Sequence, residues 1–361
     1  MCICEICEQE IEEKYMNEHN GSVYCDDCYN ENYTTCEKCG ETIEIESAQY
    51  YDGEYYCADC FDKNFMYCDD CEEYYPLDDM YYTAYGYYIC QSCYNESYMT
   101  CDDCGEIYSY DDMNNSDYSN LCDNCYKEQM YQMGINDYCY SPDIVFYEND
   151  DEAQCRTNNL HIGIELEIQG NGRYEFCTNL TSEYDEATFY LKEDGSLDSN
   201  GVEIVSQPMS YNYICQNGDW KNVFDLMNTN DMNNTSGCGL HFHLDKMYLT
   251  EDNIKVIDFI VNMFSEYFEK IGGRKFGQYC YKEDKHFANW GRSCGSRYVA
   301  VNLENVDTVE LRFCKSTDDY DTFINRLTAI YNIVKFAKQY QFNQIQELSI
   351  EEFINVFENI K

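Results

Sequence analysis

Polar residues stand at alternating positions within short apolar runs between residues 163 and 313. In GIELEI, VEIVS, GLHFHL and TVELRF these positions hold Glu165, Glu167, Glu203, His241, His243, Glu310 and Arg312. Because successive side chains of a strand point to opposite faces, each run predicts one apolar face and one polar face. A fifth run, RYVAVNL, alternates in the same way. One polar face is ordinary for a solvated strand, whereas five together predict a charged site on a sheet.

The residue types in these runs indicate a metal site. Carboxylates at close range repel one another unless a cation lies among them. Oxygen ligands with one histidine, such as His241, suit Mg²⁺ or Mn²⁺. A pair of histidines with a glutamate would also suit a Zn²⁺ ion that activates water for hydrolysis, but this interpretation leaves Arg312 and the other carboxylates without a role.

Cysteines dominate the first 125 residues as eight C-x2-C pairs. The pairs are Cys4/Cys7, Cys25/Cys28, Cys36/Cys39, Cys57/Cys60, Cys68/Cys71, Cys90/Cys93, Cys101/Cys104 and Cys122/Cys125. They are separated by 17, 7, 17, 7, 18, 7 and 17 residues, which gives four copies of a repeat of 32 or 33 residues. Such a pair directs two thiolates at one tetrahedral Zn²⁺, and a second pair after a hairpin completes the site. The spacing therefore predicts four structural zinc ions.

The pairing of these C-x2-C units has two solutions. We favour joining them across the long gaps, and joining them across the 7-residue gaps is the alternative. Each repeat is too short to hold a core of its own, so the metal supplies its folding free energy. Sites closed by four cysteines leave no position for chemistry, so we expect a scaffold that binds a protein or peptide. The many tyrosines are either contacts for that partner or covers of the zinc cores.

The pattern predicts three segments: four zinc-binding repeats over residues 1–128, a linker over 129–157 and a globular domain over 158–361. The linker holds one of only three prolines and an acidic run, and its start is expected to extend the last repeat as a helix. In the globular domain, helices are predicted after Thr250, over residues 320–339, and after Ser349, which forms a capping box with Glu352.

The charge excludes several classes of partner. The chain has a net charge of -46, and residues 1–150 carry 36 acidic against 4 basic residues, a net charge of -32. Such a field repels phosphate backbones, so nucleic acid and anionic membrane surfaces are not expected partners. The sequence shows no secretory signal or membrane-spanning run, and thiolate zinc sites suit a reducing compartment, so we expect a cytoplasmic location.

Five ordered motifs over residues 160–318 resemble the amidoligases, carboxylate–amine ligases of the glutamine synthetase and γ-glutamylcysteine synthetase superfamily. The motifs are GIELEI, KEDGSLDSNGVEIVSQP, GCGLHFHL, RYVAVNLEN and TVELRFCKST. The cysteine repeats lie outside this resemblance and are similar to LIM-like or treble-clef zinc fingers. Together these resemblances imply an α+β chain, in which a tandem Cys4 array precedes a curved antiparallel sheet backed by helices. They also imply ATP, Mg²⁺ or Mn²⁺, and an acyl phosphate that an amine attacks.

The resemblance assigns roles to residues by position. Glu165, Glu167 and Glu203 look like metal ligands, and His241 is similar to the superfamily's metal-binding histidine. Glu310 resembles a ligand that bridges metal and nucleotide phosphates, and Arg312 resembles the arginine that neutralises the transferring phosphoryl group. His243 is expected to contact the metal ligands without binding the metal itself.

Three further residues are candidates for binding substrate or nucleotide. Arg292 and Arg297 in NWGRSCGSRY are candidates for phosphate or a substrate carboxylate. Asp194 in EDGSL is a candidate for positioning an amine or a metal-bound water, and an ordinary turn-forming role is its alternative.

The function predicted from these observations is an ATP-dependent ligase that forms an amide or isopeptide bond, with the zinc repeats docking a protein partner or substrate. The second interpretation is a non-catalytic zinc-finger adaptor with a degenerate ligase domain, and a metal-dependent hydrolase is the third. The domain spans only about 200 residues, and no companion small β-domain is seen before it. The surfaces that shape the amine site in the larger synthetases are therefore missing, and the sequence does not identify the amine donor.

Overall fold

A computed structural model of the chain describes residues 2–115, 120–148, 159–233, 235, 237–277, 279–285 and 289–360. The chain divides into two compact units. One contains the residues up to Asn114 together with Asn120–Asp123, and the other contains the residues from Asn124 onward. Among the described residues, none of the helices combines the length and the apolar character needed to cross a membrane.

Each cysteine repeat contains a β-hairpin followed by a helix. In chain order the elements are β1 (Cys2–Ile3), β2 (Glu10–Ile11), β3 (Met16–His19), β4 (Ser22–Cys25), α1 (Asp26–Asn32), β5 (Tyr33–Thr35), β6 (Thr42–Glu44), β7 (Gln49–Tyr51), β8 (Glu54–Tyr56), α2 (Ala58–Asn64), β9 (Phe65–Tyr67), β10 (Tyr74–Pro76), β11 (Met80–Tyr82), β12 (Tyr88–Cys90), α3 (Gln91–Ser97), β13 (Tyr98–Thr100), β14 (Ile107–Ser109), β15 (Met113–Asn115), β16 (Asn120–Cys122) and α4 (Asp123–Gln132). The turn Asp52–Gly53 has positive φ at both residues, which a two-residue hairpin turn requires. The hairpin predicted between the two cysteine pairs is thus present in this repeat.

Neighbouring repeats share a two-stranded sheet. The strand after each helix pairs with the strand that follows the next repeat's first cysteine pair, so that β5 pairs with β6, β9 with β10 and β13 with β14. In the first repeat β1 pairs with β2 in the same way. Backbone hydrogen bonds therefore connect each repeat to the next.

The second unit contains one large sheet with helices. Its elements are β17 (Ile135–Asn136), β18 (His161–Gln169), α5 (Arg173–Glu183), β19 (Phe189–Lys192), β20 (Gly201–Ser206), β21 (Met209–Ser210), α6 (Tyr211–Asn217), α7 (Asp219–Thr229), β22 (Gly239–Asp245), α8 (Glu251–Met263), α9 (Ser265–Gly272), β23 (Val301–Asn302), β24 (Thr308–Lys315), α10 (Tyr320–Gln339), α11 (Phe342–Ile345) and α12 (Ile350–Glu358). The strand order is β17-β19-β20-β18-β22-β24-β23, with β21 pairing with β18.

The sheet is mixed, which corrects the expectation of a purely antiparallel one. β17 pairs with β19 in parallel, while the strands that carry the polar motifs pair antiparallel. β17 falls within the segment 129–157 that the sequence predicts as a linker, and residues 149–157 of that segment lie outside the described residues. A strand of two residues is too short to give an alternating pattern.

The apolar faces of the strands form the core of this unit. Ile162, Ile164, Leu166 and Ile168 of β18 are fully buried, as are Leu240, Phe242 and Leu244 of β22. They belong to one apolar cluster that includes side chains of α7, α8 and α10. The alternation predicted for these strands is confirmed, and it leaves their other face for polar residues.

The predicted helices are present, with one difference. Thr250 caps α8, and Ser349 and Glu352 form the predicted capping box of α12. The single helix predicted after Thr250 is instead divided into α8 and α9, because Phe264 between them leaves the helical conformation at ψ 35°. RYVAVNL is also shorter than expected as a strand, since only Val301–Asn302 pair as β23.

Candidate metal centres

The sixteen cysteines of the repeats gather into four groups. The groups are Cys4/Cys7/Cys25/Cys28, Cys36/Cys39/Cys57/Cys60, Cys68/Cys71/Cys90/Cys93 and Cys101/Cys104/Cys122/Cys125. The structure therefore joins the pairs across the long gaps and excludes the 7-residue pairing. Cys7 and Cys25 sulfurs lie 3.8 Å apart, as do those of Cys68 and Cys93. Tetrahedral Zn²⁺ with Zn–S bonds of ~2.3 Å requires sulfurs about 3.8 Å apart, so the groups fit zinc.

Backbone N–H groups point at the first sulfur of each repeat. The N–H of Cys90 donates to Cys68 Sγ at 3.3 Å, and that of Cys122 donates to Cys101 Sγ at 3.3 Å. Although burial raises the pKa of the Cys101 thiol, these backbone donors outweigh it and lower the pKa to about 6. The fold thus favours a thiolate at this position, which is the form that binds zinc.

Strand register gathers the polar motif residues of the second unit on one sheet face. Glu167 on β18 lies opposite Glu203 on β20, and Glu165 lies opposite His241 on β22. His243 in turn lies opposite Glu310 on β24. These side chains are mostly buried, and Glu203, His241 and Glu310 are each less than 5% exposed.

His241 stands at the centre of this acidic cluster, which comprises Glu165, Glu167, Glu203, His241 and Glu310. Its Nδ1 lies 3.2 Å from Glu165 Oε2 and 3.8 Å from Glu310 Oε1, and its Nε2 lies 3.9 Å from Glu167 Oε1. Ligand atoms of Glu165, Glu203 and His241 all lie within 4.8 Å of one another. Four carboxylates and one imidazole at this separation fit a divalent cation such as Mg²⁺ or Mn²⁺.

The charges of the cluster act on one another strongly. Burial, together with the charges of Glu165 and Glu167, raises the pKa of Glu203 well above its usual value. Burial also opposes ionisation of Glu165, but His243 and His241 outweigh it and hold the pKa of Glu165 well below its usual value. Buried like charges of this kind are costly without a compensating cation, which is the physical reason that the site fits a metal.

Glu310 is fixed from three directions. Asn302 Nδ2 donates to its Oε2 at 2.7 Å, Asn305 Nδ2 donates to the same oxygen at 3.2 Å, and Arg312 forms an ion pair with its Oε1. The buried Nε of Arg312 has no hydrogen-bond partner among the described residues. A buried guanidinium with an unused donor beside a metal site fits an anionic ligand. The sequence analysis missed both asparagines, although RYVAVNLEN contains them.

His243 lies beside the cluster and contacts Glu165. Its Nε2 lies 3.2 Å from Glu165 Oε1, and its Nδ1 lies 3.2 Å from Thr308 Oγ1. Burial lowers the pKa of His243, but the charges of Glu165 and Glu310 outweigh this and raise the pKa to about 9. The link between His243 Nε2 and Glu165 is an ion pair without hydrogen-bond geometry, and it places His243 beside that carboxylate.

Of the three remaining candidate residues, only Asp194 acts on the cluster in the described part of the structure. Asp194 caps the EDGSL turn, where its Oδ1 accepts from the N–H of Ser196 at 2.7 Å, and its charge contributes to the raised pKa of Glu203. Arg297 contacts the hydroxyls of Tyr138 and Tyr298 rather than a carboxylate of the cluster. For Arg292 the described contacts include a bond from Lys285 to its backbone carbonyl, and they do not include the cluster.

The contact between Arg297 and Tyr138 crosses the polar face of the sheet. Arg297 precedes β23 and Tyr138 follows β17, and these strands occupy the two ends of the strand order. In a flat sheet, six strand spacings would separate β17 from β23 by about 29 Å, so the two side chains must reach across the sheet to meet. Lys192, opposite Glu203 on β19, places its Nζ 5.2 Å from the Tyr138 ring centre, so this bridge lies on the side of the acidic cluster. The sequence analysis missed Tyr138 and Lys192.

The segment that carries Arg292 and Arg297 is held to α8 by a buried ion pair. Lys285 Nζ lies 2.7 Å from Asp258 Oδ2 and 3.0 Å from Glu283 Oε2, and it donates to the Arg292 carbonyl at 2.9 Å. Asp258 is fully buried, and burial outweighs the attraction of Lys285 and raises the pKa of Asp258 to about 6. Lys285 therefore compensates two buried carboxylates.

We expect Lys285→Met to lower the free energy of unfolding by about 3 kcal/mol or more, because it leaves Asp258 and Glu283 without their cation. Lys282→Met, three residues earlier and exposed, is the control and should change it by less than about 0.5 kcal/mol. Urea unfolding followed by tryptophan fluorescence measures both. Equal stabilities of the two variants would contradict the anchoring role.

Comparison with known proteins adds little to this geometry. No family model matches the chain, and no curated protein matches it. A solved structure of Plasmodium falciparum glutamine synthetase is similar at a TM-score of 0.27 and 13% sequence identity. The match covers 66% of this chain and 61% of that chain, so this chain spans less than two thirds of the length of that protein. We draw nothing further from a likeness of this size.

Proposed function

We propose that the second unit is an ATP-dependent carboxylate–amine ligase and that the zinc repeats dock its protein partner or substrate. The observation that carries the proposal is the acidic cluster around His241, with the buried and unused Nε donor of Arg312 beside it. Phosphoryl transfer is catalysed mainly by positioning and by cations beside the transferring group. The motif resemblance to the amidoligases supports the same reaction.

In this proposal each group on the polar face has a task. Glu165, Glu167, Glu203 and His241 would hold Mg²⁺, which would supply positive charge to offset that of the phosphate groups of ATP. Arg312 donates from Nε to the transferring phosphoryl group. A substrate carboxylate attacks the γ-phosphorus and ADP leaves; an amine then attacks the acyl carbon, phosphate leaves, and the amine gives up a proton.

The two alternative functions differ in what they require of the cluster. A hydrolase would use His243 with His241 as zinc ligands, but the charges of Glu165 and Glu310 raise the pKa of His243 to about 9 and so favour its protonated form, which does not bind a metal. A non-catalytic adaptor would have no use for the unused donor of a buried arginine. Only the ligase needs ATP.

The test is magnesium-dependent ADP release by the zinc-loaded chain, supplied with pools of carboxylates and amines. We expect release that requires both pools and that is lost in His241→Ala and Glu310→Ala. Glu175→Ala, which removes an exposed carboxylate on α5, should leave the rate unchanged. An intact chain that binds no ATP would reject the ligase in favour of the adaptor.

A further inference from the structure

A groove of 410 Å³ lies in the cysteine array where the second repeat meets the third. Its lining is mostly polar and includes an apolar patch of Phe65 of β9 with Pro76 and Leu77. Lys38 from the second repeat's first cysteine pair and Lys63 from α2 also line the groove. Since β9 pairs with β10, the groove is built on a hydrogen-bonded junction.

The two lysines stand where most of the other repeats have acidic residues, although the first repeat has Ile6 at the position of Lys38. Lys38 stands two residues after the first cysteine of its repeat, where the third and fourth repeats have Asp70 and Asp103. Lys63 stands three residues after the fourth cysteine, where the other three repeats have glutamate. Those glutamates are Glu31, Glu96 and Glu128. The repeats thus provide an internal comparison, in which both reversals fall in one repeat and line one groove.

The second repeat also lacks a hydroxyl that its neighbours use. In the third repeat Tyr98 occupies the position that Phe65 has in the second, and its hydroxyl donates to Asp70 Oδ1 at 3.1 Å. In the first repeat Tyr33 occupies this position and donates to the hydroxyl of Tyr24 at 3.1 Å. Phe65 has no hydroxyl, so the second repeat cannot form the corresponding hydrogen bond. Its groove instead combines apolar side chains with two lysines.

The positive charge in the groove is available to a ligand. The first 150 residues contain four basic side chains, and two of them are Lys38 and Lys63. Neither forms an ion pair with another residue in the described part of the chain. Glu37 and Asp78 also line the groove, so the lysines offer local complementarity within an acidic surface.

We propose that this groove binds a peptide segment of a protein partner, in which an acidic side chain stands beside an aromatic or aliphatic one. The apolar side chain packs on Phe65, Pro76 and Leu77, and the carboxylate lies between Lys38 and Lys63. This inference rests on the docking role given to the array in the proposed function, and it does not depend on the ligase chemistry. The negative field of the array excludes extended acidic tracts, so the acidic anchor is short and flanked by neutral or basic residues.

The experiment uses the full, zinc-loaded chain and a displayed library of random twelve-residue peptides. The most enriched peptide is synthesised with a fluorescein label, and its Kd is measured by fluorescence anisotropy without ATP. The test variant is Lys38→Glu/Lys63→Glu, which introduces acidic residues of the kind that the other repeats have at these positions. The control is Lys14→Glu/Lys127→Glu, which makes the same change of charge at two exposed lysines elsewhere.

We expect enriched peptides with one or two acidic residues next to an apolar one, and a Kd that rises at least tenfold in the test variant, because attraction becomes repulsion at two contacts (about 1.4 kcal/mol per factor of ten). The control should stay within about twofold. Enrichment of basic peptides, no enrichment, or equal effects of the two variants would each overturn the proposal. Zinc content of both variants, measured by mass spectrometry, excludes unfolding as the cause. Failure here leaves ADP release untouched, so the two proposals fail separately.

Discussion

Removal of zinc will unfold the cysteine repeats while the second unit stays folded. The buried clusters of the repeats are small, and half of their members are cysteines of the candidate zinc sites. One cluster contains Cys4, Ile11, Tyr24 and Cys28, and another contains Cys68, Ile89, Cys90 and Tyr98. Structural zinc supplies on the order of 10 kcal/mol per site, far more than such clusters supply. The second unit has instead one continuous apolar core.

Tryptophan and tyrosine report the two units separately. Both tryptophans of the chain, Trp220 and Trp290, are buried in the second unit. We expect a zinc-selective chelator to abolish the tyrosine near-ultraviolet circular dichroism of the repeats without shifting tryptophan emission. Addition of excess zinc should restore the signal. A simultaneous red shift of tryptophan emission would show instead that the units unfold together.

Replacement of Arg312 by lysine will lower ATP turnover by about 10³-fold while Mn²⁺ still binds. Lysine keeps the charge that compensates Glu310, but it cannot offer the planar fork whose Nε is unused among the described residues. Arginines that neutralise a transferring phosphoryl group contribute 10³- to 10⁵-fold to the rate. The effect should therefore fall on kcat more than on metal affinity.

Two measurements separate this role from a structural one. Isothermal titration with Mn²⁺ should give the same affinity, within a few-fold, for the wild type and Arg312→Lys. Lys221→Arg, which makes the reverse exchange at an exposed cation on α7, is the control for a change of cation without a change of charge, and it should alter neither turnover nor Mn²⁺ affinity. Unchanged turnover in Arg312→Lys would remove this residue from the proposed chemistry, and lost Mn²⁺ binding would make it a support of the metal site.

The cysteine spacing and the strand alternation could be interpreted from sequence because both are local. C-x2-C pairs at a fixed period indicate metal sites, and the alternation around Glu165 and His241 predicts which side chains share a face. The bridge over that face is not local. Tyr138 and Arg297 lie 159 residues apart in sequence, and neither stands in a periodic pattern that would reveal the contact. Lys192 was missed because β19 has only four residues.

The interlocking of neighbouring repeats has a consequence for how such a chain changes over evolutionary time. Each repeat gives a strand to the next and receives one from the preceding repeat, and β1 fills that place for the first. A duplication or loss of one whole 32-residue unit therefore leaves every remaining strand with a partner. Repeat number can vary without leaving a strand unpaired, and single repeats, such as the second with its two lysines, are free to diverge in what they recognise.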